Sequence, residues 1–316
     1  MVIIMKYEHF GNLLEELRLK YNMSREELAH NICTPKQIYR IEKGESEPSI
    51  YLLHQLSLKF RLDLNDYYKM YFTNHTLEGL EGIKSINHAI IVRDNHLLKS
   101  LIDNYEPMEA FKTGENLQHI YYGKALCSAL LDEDYKKSLD YCYQGLRVEC
   151  PEFNITSISK YMFSNVGLAL LNCTSQNFFA MDNYDAGMLV LNGLLMVLES
   201  YVINSPYPLF RDTQFFKKFY QAILYNMGVH LFEQGEYKKS LIFIEKGIKF
   251  SLQESNFRHL SELLFFKFKL LYHKQNYAEA REYYNQVISL CKITNKESIL
   301  NELDSSAKID YPEIFI

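Results

Sequence analysis

The clearest chemistry in the sequence is a run of hydrogen-bond donors over residues 34–43, T-P-K-Q-I-Y-R-I-E-K. Arginine and lysine can donate to guanine O6 and N7, and a glutamine amide can pair with adenine. A helix here would bury Ile38 and Ile41 and turn its polar residues outward. The segment therefore predicts a helix that reads bases, with Arg25 as a phosphate contact. The predicted DNA contacts are Arg25, Thr34, Lys36, Gln37, Tyr39, Arg40 and Lys43.

Helix-start patterns make this segment the second of two short helices. Ser24 begins S-R-E-E, which places Glu27 at the third helical position of a capping box. T-P-K-Q at residues 34–37 predicts a second capping box, with proline at the first helical position. The predicted helices span residues 8–21, 25–30 and 35–43, and a fourth begins at residues 48–49.

Two short helices joined by a tight turn fit the major groove when the second helix carries outward donors. The alternative is a small helical bundle with a solvated charged face. The charge distribution bears on this choice. The chain has a net charge of −5, but residues 6–71 contain ten Lys and Arg against ten Asp and Glu. The remaining residues therefore carry the whole negative charge, so we expect nucleic acid to contact the first domain.

The run S-R-E-E-L-A-H-N-I-C-T-P-K-Q-I-Y-R-I-E-K-G-E-S-E-P-S, residues 24–49, resembles the XRE-type helix-turn-helix of repressors. Its turn, N-I-C, is one residue shorter than in the phage repressors. This shorter turn resembles the PlcR-like branch of the peptide-pheromone-sensing Rap/Rgg/NprR/PlcR/PrgX group. The helix-turn-helix domain that contains this motif covers about a fifth of the chain. The resemblance implies a cytoplasmic, homodimeric transcription regulator that binds a palindromic operator and senses a short signalling peptide.

A repeated turn runs through the rest of the chain. D-Y-K-K-S-L at residues 134–139 recurs as E-Y-K-K-S-L at 236–241, an offset of 102 residues. That offset is three times the roughly 34-residue tetratricopeptide period. Related turns give five anchors, spaced by 39, 49, 53 and 40 residues: His96, Tyr135, Tyr184, Tyr237 and Tyr277.

These spacings predict an all-α chain, in which a helix-turn-helix domain precedes five tetratricopeptide-like helix pairs. We expect the pairs to stack into a right-handed superhelix with a concave groove. The predicted regions are a tail at 1–5, the reader domain at 6–62, a linker helix at 63–76, and a sensor and dimerisation domain at 77–316. An unrelated helical domain is the alternative.

In the consensus repeat, the residue eleven positions before the aromatic anchor faces the groove. This register selects Lys124 and Asn226, and it selects Asn165 if an insertion lies near residues 173–180. An asparagine amide can both donate to and accept from a peptide backbone, as in the peptide clasps that this placement resembles. For each candidate, an ordinary surface or core role remains open. The predicted peptide contacts are Asn165, Asn226, Lys124, Gln118, Tyr122, His230 and Lys267.

Patterns typical of enzymes are missing from the sequence. It contains no nucleophile elbow, phosphate loop, HExxH motif or zinc spacing, and its six cysteines are scattered. We therefore predict no enzyme activity, metal or cofactor, and free thiols in a reducing cytosol. The longest apolar stretch, residues 186–198, is too short to span a membrane. The alternative function is a reader whose repeats bind a partner protein, as in an antitoxin or a constitutive repressor.

Overall fold

The structure, a computed structural model, describes residues 9–65, 68, 77–204 and 213–315. These residues form α-helices joined by turns and short 3-10 segments, with no β-strand among them. The predicted tail at 1–5, the start of the reader domain and most of the predicted linker helix at 63–76 lie outside the described residues.

The chain divides into two compact units. The first comprises residues up to 93 together with 103–112, and the second comprises residues 94–102 and 113 onward. The helices that begin in the first unit are α1 Phe10–Lys20, α2 Arg25–Ala29, α3 Pro35–Glu42, α4 Ile50–Phe60 and α5 Leu77–Val92. Those that begin in the second unit are α6 Asn95–Tyr105, α7 Gly114–Leu130, α8 Tyr135–Glu149, α9 Asn165–Ala180, α10 Tyr184–Leu198, α11 Thr213–Glu233, α12 Tyr237–Gln253, α13 Leu260–His273, α14 Tyr277–Thr294 and α15 Glu297–Asp310.

Capping side chains set the start of α2 and α3. Ser24 forms the predicted box with Glu27: its Oγ accepts from the Glu27 amide at 3.1 Å, and its own amide donates to the Glu27 carboxylate at 2.7 Å. Thr34 Oγ1 accepts from the Gln37 amide at 3.2 Å. The reciprocal half of the second predicted capping box is wrong, because the exposed Gln37 side chain does not accept a hydrogen bond from the Thr34 amide. Gln37 is left available on the surface.

The backbones of α1 and α3 approach closely at Gly11. A Cβ atom at this position would collide with the carbonyl oxygen of Ile41. Glycine therefore permits the contact that packs Leu14 of α1 and Ile38 of α3 into one fully buried core with Leu28 and Leu56.

A buried carboxylate joins the first three helices of this unit. Glu42, only 1% exposed, accepts from Arg18 Nε at 2.5 Å and from Arg25 Nε at 2.6 Å. The hydrogen bond to Glu42 also raises the pKa of the Arg18 guanidinium. A buried charge is tolerated only when it is paired and hydrogen-bonded. The Glu42 carboxylate consequently ties α1, α2 and α3 together.

The second unit contains four of the five predicted helix pairs, because α5 lies in the first unit. Tyr135, Tyr184, Tyr237 and Tyr277 are each the first residue of the second helix of a pair. Ser138 and Ser240, three residues after two of these anchors, are completely buried. Their hydroxyls donate to the carbonyls of Ala125 and Gly228, at 2.7 and 2.6 Å. The small residues let the paired helices cross closely and satisfy a backbone acceptor.

The insertion expected near residues 173–180 is wrong. Helix α9 runs without interruption from Asn165 to Ala180, so the extra residues of this repeat precede it, where a 3-10 helix spans Ile155–Lys160. The residue eleven positions before Tyr184 is the buried Cys173. Asn165 lies instead at the first turn of α9.

Replacing Glu42 by alanine tests the role of the buried carboxylate. We expect the free energy of unfolding of the first unit to fall by about 3–5 kcal/mol, because Arg18 would remain buried without its counter-charge. Hydrogen exchange of the amides of α1–α3 in the full chain measures this loss. Glu45→Ala is the control, because this half-exposed carboxylate contacts Arg40 at 3.9 Å. Equal protection in the two variants would contradict the assignment.

Candidate nucleic-acid interface and repeat groove

Helix α3 divides cleanly into a buried and an exposed face. It buries Ile38, Ile41 and Glu42, which lie at helical spacing. The opposite face carries the predicted base-reading side chains, which are exposed: Lys36, Gln37, Tyr39, Arg40 and Lys43. Thr34 is also exposed, and its hydroxyl caps the helix. The face offers ammonium, guanidinium and amide donors together, the groups that pair with base edges.

Arg25, predicted to contact phosphate, lies beside this face with part of its guanidinium already engaged. Its Nε donates to Glu42, its Nη2 donates to Glu15 at 3.2 Å, and its guanidinium carbon lies 5.2 Å from the centre of the Tyr39 ring. Its Nη1 makes no hydrogen bond in the described part of the chain. Arg25 thus holds Tyr39 and α2 in place and has one nitrogen left for an anion.

The turn before α3 is supported from α4. Asn31, in the short N-I-C turn, adopts a positive φ of 61°. Lys59 Nζ donates to the carbonyls of Glu27 and Leu28, the second at 3.1 Å. These carbonyls end a helix of only five residues, so they have few partners within it. The lysine therefore stabilises the end of α2 that sets the entry to α3.

In the second unit, α9 carries a stripe of uncharged polar residues. Most of this helix is buried, and its half-buried positions up to residue 176 are Asn165, Ala169, Asn172 and Gln176. Their spacing of four, three and four places them on one side of the helix. The Asn165 Oδ1 atom is buried, and no donor in the described part of the chain reaches it.

Asn226, predicted as a groove residue, joins this stripe from α11. Its Nδ2 donates to Asn172 Oδ1 at 3.1 Å. Among the described residues, Asn226 Oδ1 and Asn172 Nδ2 form no hydrogen bond. The pair thus presents one free acceptor and one free donor, the same pattern that a peptide unit offers.

Of two other predicted groove residues, Gln118 is buried and Tyr122 is partly buried against the core. Gln118 is 1% exposed; its Nε2 donates to the Gly145 carbonyl at 3.1 Å and its Oε1 accepts from Ser164 at 3.2 Å. Tyr122 packs against the main core cluster, and burial raises the pKa of its phenol. Gln118 is therefore a core link between helices, and its expected position on the groove wall is wrong.

The remaining predicted groove residues make separate contacts. Lys124 Nζ lies 5.4 Å from the centre of the Tyr141 ring. The His230 ring stacks on Phe179 at 3.5 Å, and burial lowers the pKa of the imidazole. Lys267 pairs with Glu245 of α12 at 3.0 Å. The structure thus brings Asn226 beside Asn172 of α9 and His230 onto Phe179 of the same helix, whereas Lys267 lies against Glu245 of α12.

Sequence reasoning missed Asn172, Gln176 and Glu42. A helical periodicity counted from Asn165 would have found the first two, because they lie seven and eleven residues after it. Among the described residues, no three His, Cys, Asp or Glu side chains are grouped so that they could hold a metal ion. No described helix has the length and hydropathy needed to cross a membrane.

Residues 14–67 match a family model described as helix-turn-helix. Curated protein sequences give no match. Among solved structures, the chain is similar to Bacillus thuringiensis PlcR in complex with the peptide PapR7 and DNA, with 16% identity and a TM-score of 0.74. That match covers 94% of this chain and 99% of PlcR.

Two further structures show the same architecture. The Streptococcus dysgalactiae SHP pheromone receptor Rgg2 matches with 18% identity and a TM-score of 0.60, over 93% of this chain and 97% of Rgg2. ComR from S. thermophilus, in complex with DNA and its signalling peptide ComS, matches with 18% identity and a TM-score of 0.61, over 95% of this chain and 98% of ComR. The chain has the fold of PlcR, Rgg2 and ComR. The predicted all-α architecture, a helix-turn-helix domain followed by helical repeats, is confirmed.

Replacing Arg25 by alanine tests its structural role apart from DNA. We expect the first unit to lose about 1–2 kcal/mol of stability, less than a fully buried charged hydrogen bond provides, because the side chain is 31% exposed. Arg40→Ala is the matched control, since the Arg40 side chain is 53% exposed and lies 3.9 Å from Glu45. Hydrogen exchange of α2 measures both variants. Unchanged protection in Arg25→Ala would show that its contacts are dispensable.

Proposed function

We propose that this protein is a sequence-specific DNA-binding transcription regulator whose repeat unit binds a short signalling peptide. In this proposal it acts as a cytoplasmic homodimer and couples peptide binding to DNA binding. The observation that carries the proposal is the exposed donor face of α3 within a matched helix-turn-helix domain. The shared fold with PlcR and ComR, whose structures contain both DNA and a peptide, supports it.

The reading of DNA rests on α3. Its exposed face carries Lys36, Gln37 and Arg40, while Ile38 and Ile41 anchor the opposite face in the core. A reader of this size contacts few base pairs, so two copies on half-sites about one helical turn apart would supply the affinity of a specific complex. This requirement favours a palindromic operator and a dimer.

The binding of a peptide rests on the amide pair. The side chains of Asn172 and Asn226 are hydrogen-bonded to each other. They keep one donor and one acceptor, which complement the backbone of an extended peptide. The Oδ1 atom of Asn165, which has no donor among the described residues, lies at the first turn of α9. We propose that these three amides form hydrogen bonds with the ligand backbone, and that neighbouring side chains select its sequence.

In this proposal, peptide binding is coupled to DNA binding because the peptide has different affinities for two arrangements of the dimer. A peptide that binds one arrangement of the dimer more tightly shifts the population towards that arrangement. Such coupling is typically worth about 1–3 kcal/mol, or about 5- to 150-fold in affinity. Peptide binding would then alter operator affinity by a factor of this size.

Substitutions on α3 test the reader. We expect Arg40→Ala and Lys36→Ala each to lower the affinity for the specific duplex by about 1–3 kcal/mol and to reduce the preference over random DNA. Arg25→Ala should weaken both duplexes alike and reduce the salt slope by about one. Fluorescence anisotropy of the gene's upstream DNA and of a random duplex, over a salt series, measures these effects.

The control for the reader test is Lys136→Ala, an exposed lysine on α8. It should leave both titrations unchanged. Equal losses on specific and random DNA for all three reader variants would reject α3 as the recognition helix. If specific DNA binding depends on salt but is the same with and without the peptide fraction of spent culture medium, a protein partner for the repeats is favoured instead.

Replacing Asn226 by alanine tests the peptide site. We expect the response of operator binding to the peptide fraction to fall by about tenfold or more, because the ligand backbone loses an acceptor and Asn172 loses its partner. Operator binding without the fraction should not change. Asn192→Ala is the matched control, because among the described residues this exposed asparagine bonds only the Met188 carbonyl of its own helix. A full response in Asn226→Ala would exclude the amide pair as the site.

A further inference from the structure

Two cysteines from neighbouring helices lie together in the core of the second unit. Cys142 of α8 is fully buried, and Cys173 of α9 keeps 7% of its surface exposed. The Nδ2 atom of the buried Asn177 lies 3.8 Å from each of the two sulfur atoms and 2.8 Å from Ser138 Oγ. The two thiols also form a hydrogen bond with each other. Helices α8 and α9 thus hold two free thiols next to one amide donor.

This contact makes the two thiols chemically unequal. The hydrogen bond from Cys142 lowers the pKa of Cys173, against the opposing effect of burial. The same hydrogen bond, together with burial, raises the pKa of Cys142 well above its ordinary value. The thiolate is the form of cysteine that attacks an oxidant. Cys173, which is also the more exposed of the two, is therefore the better nucleophile, and Cys142 stays protonated beside it.

Two other cysteines are more exposed but less easily ionised. Cys33 and Cys150 are both partly exposed. Burial of part of each side chain raises the pKa of the thiol, and in Cys150 the charge of Glu149 adds to this effect. Oxidation that followed exposure alone would select Cys33 and Cys150, whereas oxidation that follows thiolate character selects Cys173.

We propose that Cys142 and Cys173 form a modification site, which hydrogen peroxide oxidises to a disulfide between α8 and α9. The Cys173 thiolate attacks one peroxide oxygen and the O–O bond breaks. The leaving oxygen takes up the proton that Cys173 released, so a sulfenic acid and one water form. The Cys142 sulfur then attacks the sulfenic sulfur, and the hydroxyl group leaves as a second water with the Cys142 proton. Two thiols lose two electrons, one peroxide gains them, and a dithiol reductant reverses the change.

The disulfide lies in the helix that carries the proposed peptide contacts. Cys173 directly follows Asn172, whose Oδ1 accepts from Asn226 Nδ2 at 3.1 Å. The sulfur atoms of a disulfide are about 2 Å apart, so residue 173 must move towards α8 when the bond forms. We expect this movement to disturb the Asn172–Asn226 pair and to weaken peptide binding. This consequence rests on the proposed function, whereas the oxidation itself does not.

Peptide mapping of the full chain tests the oxidation. Trypsin cleaves after lysine and arginine, so the three cysteines of this region fall in separate peptides: Cys142 in 138–147, Cys150 in 148–160 and Cys173 in 161–211. The chain is treated with an equimolar amount of hydrogen peroxide, and the remaining thiols are alkylated. We expect the first and third peptides to be joined in most molecules and to separate after dithiothreitol. Oxidation of Cys150 without any joined peptide would overturn the proposal.

Single substitutions test the roles of the two thiols. In Cys142→Ala, the oxidation of Cys173 should stop at the sulfenic acid, which dimedone traps. In Cys173→Ala, Cys142 should remain a thiol, and the opposite pattern would overturn the assigned order. Cys150→Ala is the matched control, because this cysteine ends α8, and it should form the disulfide as the wild type does. Circular dichroism checks the helical content of each variant, and the wild-type map decides the proposal without any substitution.

Operator titrations with the oxidised chain test the consequence for peptide binding. The response of the wild type to the peptide fraction should fall by about fivefold or more after peroxide, the lower end of a typical coupling, and recover with dithiothreitol. Cys173→Ala should keep its response under the same treatment. A joined peptide with an unchanged response would overturn the effect on the Asn172–Asn226 pair. A chain that responds in neither redox state would contradict the proposed function, whereas the peptide map would still report on the oxidation.

Discussion

The orientation of α3, the proposed DNA-reading helix, depends on one buried carboxylate. Glu42 is the last residue of α3, and its negative charge is met by Arg18 of α1 and Arg25 of α2. Because an unpaired buried charge is so unfavourable, few arrangements of the three helices satisfy it. Packing at Ile38 decides which face of α3 is buried, and the ion pairs fix its direction. The donors on the opposite face are consequently presented in a single geometry.

Because Arg25 binds the same carboxylate, its structural role and its proposed role in DNA binding depend on each other. One edge of its guanidinium holds Glu42 and Glu15, and its plane lies near the Tyr39 ring. An arginine fixed in this way loses little side-chain entropy when it meets a phosphate, since that freedom is already lost on folding. The contribution that we propose for Arg25 in DNA binding is therefore separable from its contribution to folding only when stability is measured beside affinity.

Sequence patterns predicted the elements better than the contacts between them. The capping residues Ser24 and Thr34 and the anchor Tyr237 are local, so the sequence alone was enough to locate the helices that they begin. Gln118 could not be placed this way, because its partners Gly145 and Ser164 are 27 and 46 residues distant.

Insertions limit prediction in a similar way. Counting back from an anchor selected Asn226, which the structure places beside Asn172 of the α9 stripe. For Asn165 the spacing could not say whether the extra residues lay inside the helix or before it. Burial of successive residues such as Leu170 and Leu171 keeps α9 continuous and excludes the insertion from it.

The Asn172–Asn226 hydrogen bond has a consequence for the affinity of the proposed peptide site. Each amide is already oriented by the other, so a ligand need not break this bond or order these side chains, and more of the interaction energy remains for binding.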